Sequence, residues 1–110
     1  MKLRTEEELK WIGVDFDGTI FGNTGYPEYL LTEPLPGAKD ALQRMADQGW
    51  KIIIYTSRPW VEHEVVESHL EKHGIPFRRI VCGKMFVKYM VDDRNVEFDG
   101  DWDKVLKKIS

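Results

Sequence analysis

The sequence predicts an α/β fold: an open, Rossmann-like, mostly parallel sheet with helices on both faces and no cap domain. Three observations predict it. Short apolar runs at residues 11–14 and 52–54 alternate with stretches of helical period, such as Ala38, Ala41, Leu42, Met45 and Ala46. Alternation of strand and helix is the signature of a parallel sheet closed by crossovers. Residues that carry chemistry also cluster just after the apolar runs: Asp15 and Asp17, Thr56 and Ser57, Asp92 and Asp93. In open α/β sheets ligands bind beyond the carboxyl ends of the strands, where the chain order reverses.

The elements follow in order. Residues 1–9 are polar, and Thr5 with Glu6, Glu7 and Glu8 fits either a capped helical turn or a solvated lead-in. Residues 10–16 read as the first strand, nearly continuously apolar as expected of a strand covered on both faces. Residues 18–36 have no period and carry Gly22, Gly25, Pro27, Pro34 and Pro36, the composition of a loop or short flap. Phe21, Tyr26 and Tyr29 within it are expected mainly to pack onto the domain. Residues 37–49 form an amphipathic helix, opened by Pro36 and closed by Gly49. A second strand covers 50–55 and a second helix 61–73, with Val61, Val65, Val66, His69 and Leu70 inward and Gly74 as its stop. A third strand is expected at 79–82, a fourth at 88–91, and a last helix at 101–109 capped by Asp101, with Trp102, Val105, Leu106 and Ile109 inward. The order is β-α-β-α-β-β-α.

Composition bounds the function. With 110 residues the chain makes one domain, residues 1–110, around one core. A hydrophobic content of 42% and a charged content of 32% fit a soluble globular protein. A net charge of −3 argues against a general nucleic-acid-binding surface. The single cysteine, Cys82, cannot form an internal disulfide, and no zinc-site spacing occurs. The charged start has no apolar signal segment and no run reaches membrane-spanning length, so a cytoplasmic setting without a membrane partner is expected. The sequence fixes no oligomeric state.

The first strand ends in I-G-V-D-F-D-G-T-I, residues 12–20. Residues two apart in a strand project to the same side, so Asp15 and Asp17 point together while Phe16 turns into the packing. Two ionised carboxylates at a buried strand end repel, and a cation between them relieves the repulsion. Ligation by oxygen alone suits Mg²⁺. A solvated Asp-x-Asp-Gly turn is the plain alternative.

D-F-D-G-T-I at 15–20, I-I-I-Y-T-S-R at 52–58, Lys84, and V-D-D-R-N at 91–95 stand in the order found in haloacid dehalogenase phosphohydrolases, and the chain resembles a small capless member of that superfamily. The resemblance implies a Mg²⁺-dependent phosphomonoester hydrolase acting through an aspartyl-phosphate. Asp15 would be the nucleophile and a metal ligand. Asp17 would be the acid and then the base, its carbonyl binding the metal. Gly18 would let the chain turn beside the phosphate. Thr56 would hold a phosphoryl oxygen, and Lys84 would neutralise the nucleophile and the transferring group. Asp92 would complete the metal's ligands, with Asp93 acting directly or through water. Ser57 and Arg58 would contact substrate, although an arginine before a proline is often structural. Without a cap, specificity would come from the flap, from Trp60 or from a partner, and the substrate would be a small phosphorylated molecule or an exposed phosphate on a macromolecule.

Other residues have plainer readings. His63, His69 and His73 lack a metal-binding pattern and are expected on the surface or partly buried. Cys82, Trp60 and Trp102 are expected to pack. A phosphoacceptor receiver domain is excluded by order, since there the adjacent acidic pair comes first. A non-catalytic phosphate- or metal-binding regulatory module, and an aspartyl-phosphate phosphotransferase, share the same residues and remain alternatives.

Overall fold

A computed structural model describes residues 10–22, 32–85 and 87–110. Strand β1 is Trp11–Asp15, helix α1 Ala38–Asp47, β2 Lys51–Tyr55, α2 His63–Lys72, β3 Arg79–Val81 and α3 Trp102–Ile109. A 3-10 turn, Trp60–Glu62, leads into α2. The strands form one parallel sheet in the order β1-β2-β3, with Val14 opposite Ile54 and Ile54 opposite Ile80. The capless α/β architecture is as the sequence predicts. Within these strands the order is sequential, so no reversal of chain order marks the site; Thr5–Glu8, Tyr26 and Tyr29 lie outside the described residues.

The period-2 rule divides the sheet. Val14, Ile52, Ile54 and Ile80 lie in the core with Phe16, Leu42, Met45, Val66 and Leu70. The alternate residues form a less covered face, and there cations lie over aromatic rings. The Lys51 Nζ and the Arg79 guanidinium lie 5.4 and 5.0 Å from the Trp11 ring centre, and Lys84 Nζ lies 4.4 Å from that of Tyr55. Gly13 makes room for the Tyr55 ring, since a Cβ there would meet two ring carbons at 3.3 Å.

Both first helices end as their glycines predict. Gly49 and Gly74 take positive φ. Trp50 N–H donates to Met45 O and Gly49 N–H to Ala46 O, while Ile75 and Gly74 repeat the pattern on Leu70 and Glu71. Asp101 caps α3, its Oδ1 accepting from Asp103 N–H at 2.9 Å. Trp102 is buried and Phe98 stands against its ring at 4.7 Å, as expected of a packing anchor.

Three expectations are corrected. Residues 88–91 form no strand; Tyr89 and Val91 are exposed, and the segment has no ladder partner among the described residues. A short, mostly apolar run such as Tyr89, Met90 and Val91 makes a strand only where a neighbouring edge and a covered face are supplied. Val61 and Val65 are exposed: Val61 lies in the 3-10 turn before α2, and Val65 sits on the flank of the inward stripe of Val66, His69 and Leu70. Trp60 is 59% exposed rather than packed.

Phe16 is fully buried, with the Phe21 ring 4.9 Å away and His69 edge-on at 6.3 Å. Phe16→Ala is expected to destabilise the domain by about 3–5 kcal/mol, from lost transfer energy and the cavity left behind. Urea denaturation checks this; a midpoint within error of the wild type would show that the ring contributes nothing to the core.

Candidate functional site

The carboxyl ends of β1 and β2 and the loop after β3 meet at one rim. Two backbone hydrogen bonds stitch the loops together there: Lys84 N–H donates to Thr56 O at 2.8 Å and Gly83 N–H to Arg58 O at 2.9 Å. Thr56 N–H in turn donates to Val81 O at 2.9 Å. These bonds carry Lys84 back over Tyr55 towards β1.

Asp15, the last residue of β1, is therefore the centre of the site. Its Oδ1 lies 3.7 Å from Lys84 Nζ and its Oδ2 accepts from Thr19 Oγ1 at 3.2 Å. Desolvation raises the Asp15 pKa above the ordinary 3.8, against the opposing pull of Lys84, the Phe16 N–H and Thr19. Burial also raises the Tyr55 phenol, helped by the negative charges of Asp15 and Asp92. Asp15, Tyr55, Lys84 and Asp92 thus share one electrostatic neighbourhood.

Asp17 is held differently. Gly18, at φ 80°, turns the chain, and Gly18 N–H donates to Phe21 O at 2.8 Å. The Asp17 carboxylate then receives a fork from Arg58: Nε to Oδ2 at 2.8 Å and Nη2 to Oδ1 at 3.0 Å. Arg58 Nη1 donates to Glu62 Oε1 at 2.8 Å, and the arginine is 4% exposed. A guanidinium with both ends paired is fixed by geometry as well as by charge. Its pKa is raised, burial being outweighed by its bonds to Asp17 and Glu62. Asp15 and Asp17, expected to project together, therefore have separate partners.

Thr56 is buried and its Oγ1 accepts from Arg58 N–H at 3.1 Å, which closes the turn after β2; Ser57 beside it is exposed. Asp92 and Asp93 fall on the irregular segment after β3. Asp92 Oδ1 accepts from Arg94 N–H at 3.0 Å, and Arg94 Nε lies 3.8 Å from Asp92 and 3.6 Å from Asp93. The Arg94 N–H is the first cause that lowers the Asp92 pKa. The pair is an exposed acidic turn whose charge Arg94 offsets only in part.

Among the described residues no group of three or more His, Cys, Asp or Glu side chains is gathered to hold a metal. Of the donors that the resemblance implies, Arg58 holds the side chain of Asp17 and not the backbone carbonyl expected to bind the metal, and the Asp92 and Asp93 carboxylates lie on a turn beside Arg94.

The flap's base is also built. Thr32 Oγ1 accepts from Gly22 N–H at 2.8 Å, and Leu35 N–H donates to Ile20 O at 2.7 Å. His69 Nε2 is 2.7 Å from Thr32 O, and its ring stands 4.5 Å from those of both Phe21 and His73. His69, buried and held by Thr32 O, is packing and anchor rather than surface. Burial lowers its pKa, chiefly by desolvation. Cys82 is buried and its thiol pushed up by desolvation, as packing requires.

Three contributors went unassigned in the sequence. Thr19 lay inside the first motif without a role. Tyr55 carried no signal beyond its place at a strand end. Glu62, four residues after Arg58, is at helical pairing distance, which was the available sign.

No family model matches the chain, and no curated protein matches it. Two similar solved structures are a conserved protein from Bacteroides thetaiotaomicron and a crystallised target from Vibrio cholerae. The first is 25% identical with a TM-score of 0.66, covering 90% of this chain and 88% of that one. The second is 20% identical with a TM-score of 0.64, covering 91% and 98%. The likeness to both is one of fold, extending over nearly the whole chain.

Proposed function

We propose that this chain is a phosphomonoester hydrolase of the haloacid dehalogenase type, with Asp15 as nucleophile. The observation that carries the reading is the Asp15 carboxylate at the β1 end, partly desolvated, with Lys84 and Thr19 on its two oxygens. In the first step an Asp15 oxygen bonds to phosphorus as the bond to the leaving oxygen breaks. Asp17, in its acid form, gives that oxygen a proton. In the second step Asp17 removes a proton from water, which attacks phosphorus and releases phosphate and free Asp15. Lys84 offsets charge on the phosphoryl oxygens. Asp17 acts only once Arg58 lets go, and an incoming phosphate dianion competes for that guanidinium.

Lys84 supplies one positive charge against Asp15 and a dianionic phosphate. The net negative charge left over calls for a further cation, and the proposal includes Mg²⁺ as that cation, with no step above depending on it. Phosphate release from a panel of phosphomonoesters tests both parts. Release is expected with Mg²⁺ and to fall at least about tenfold on chelation. Chelation without effect would remove the metal from the proposal, and release from no ester would remove the hydrolase.

One observation favours a second reading. With Asp17 forked by Arg58 and the acidic pair turned outward, the same rim suits a module that binds phosphate without turnover. Calorimetric binding of inorganic phosphate without hydrolysis of any ester would select it. Transfer to an acceptor other than water uses the same intermediate, and alcohol acceptors in the assay would reveal it.

A further inference from the structure

We infer that Trp60 is a stacking platform beside the phosphate site, which assigns the substrate to phosphomonoesters whose leaving group is a flat aromatic ring. The inference rests on the hydrolase reading for the position of the phosphate. Its own grounds are the geometry of the indole.

Tryptophan is usually well buried, and this one is 59% exposed. Its ring is nonetheless held. Pro59 fixes the approach at φ −69°, ψ 160°, and the 3-10 turn Trp60–Glu62 begins there. On one side the indole lies nearly parallel to the His63 ring, at 10° and 5.9 Å between centres. Along its edge it meets the backbone of Gly83, where an added Cβ would stand 3.5 Å from Nε1 and 3.8 Å from Cδ1. Those are ordinary contact distances, and it is the backbone of Gly83, at φ +79°, that disfavours a side chain there.

That edge contact locates the platform. Gly83 precedes Lys84, whose ammonium faces Asp15 at 3.7 Å. The Gly83 N–H to Arg58 O bond, at 2.9 Å, ties the loop carrying Trp60 to the loop carrying Lys84. The indole and the phosphate-facing ammonium therefore rise from neighbouring positions on two joined loops. An aromatic ring held in place with open surface is pre-organised for another flat ring, because ordering it costs little on binding. An isolated exposed tryptophan is otherwise ordinary. Here it lies parallel to the His63 ring and beside Gly83, in the loop that carries Lys84.

The test compares 4-nitrophenyl phosphate with glycerol phosphate in wild type, Trp60→Ala and Trp60→Phe. Stacking of this kind changes affinity by roughly tenfold or more. The ratio of kcat/KM for the aryl ester over glycerol phosphate is expected to fall about tenfold in Trp60→Ala, mainly through KM, and to stay near wild type in Trp60→Phe. A ratio unmoved in Trp60→Ala, with both esters slowed alike or not at all, overturns the inference while leaving the hydrolase reading intact. If wild type hydrolyses neither ester, the hydrolase reading is judged on the full panel, and calorimetry with the unreacted esters decides this point. Tighter binding of 4-nitrophenyl phosphate that weakens about tenfold in Trp60→Ala upholds the platform; equal binding of both esters, or none, overturns it.

Discussion

Asp15→Asn is expected to lower phosphate release by at least about a thousandfold while the protein stays folded and becomes more resistant to heat at neutral pH. The loss of activity follows from chemistry, since an amide oxygen does not form the acyl-phosphate. The gain in stability follows from burial. Desolvation is the largest influence on Asp15 and raises its pKa in the fold above the ordinary 3.8. A carboxyl group whose folded pKa is raised favours the folded state most fully below the unfolded value. That contribution is lost as pH rises through the folded value. Wild type and variant should therefore have similar stability in acid, and the variant should pull ahead as pH rises past the raised value. Melting curves against pH, alongside phosphate release, check both parts. Turnover retained in the variant would sink the nucleophile, and a variant less stable at neutral pH would mean that Lys84 outweighs desolvation.

Arg58→Met is the second large effect. The guanidinium is almost wholly enclosed, its side chain 3% exposed, while Asp17 and Glu62 are each 27% exposed. Removing one partner of a buried ion pair costs about 3–5 kcal/mol, because the other is left without compensation. Water still reaches these carboxylates, so the cost falls below that range, to about 2–3 kcal/mol. Arg58→Lys should recover little, since an ammonium cannot reproduce the fork. A double-mutant cycle with Asp17→Asn isolates the pair and is expected to show a coupling of about 1 kcal/mol or more. Additive effects would mean that the arginine acts through packing on Phe16, whose ring centre lies 5.6 Å from its Cζ.

The sequence carried most of the fold and part of the site, for physical reasons. Helical period and the glycines at 49 and 74 determine local structure, and both first helices end where those glycines stand. Asp15 was singled out because strand-end position is local information, and Lys84 because of its place before the acidic pair in the order of motifs that the resemblance supplies. The partner of Arg58 was not, since Asp17 is 41 residues away and pairing at that separation is set by tertiary packing. Val61 failed because it lies in the 3-10 turn before the helix, and Val65 because it sits on the flank of the stripe made by Val66, His69 and Leu70. The strand expected at 88–91 failed because composition cannot supply an edge to pair with. Trp60 failed in the opposite direction: hydrophobicity predicts burial on average, and which neighbours meet a ring, here His63 and the glycine 23 residues on, is set by tertiary packing.

The clasp between Gly22 and Thr32 has a consequence for how this protein can change. Since Thr32 is also held from α2 by His69, the two ends of the flap are fixed to each other and to the core before the stretch between them contributes anything. For ends fixed in this way, chain length enters stability only through loop-closure entropy, at about 0.6 kcal/mol for each doubling. A change in the length of chain joining these ends therefore carries a closure cost of only this size. The anchoring of the loop, on Thr32 and His69, is separate from the anchoring of the rim around Asp15, on Lys84 and Thr19.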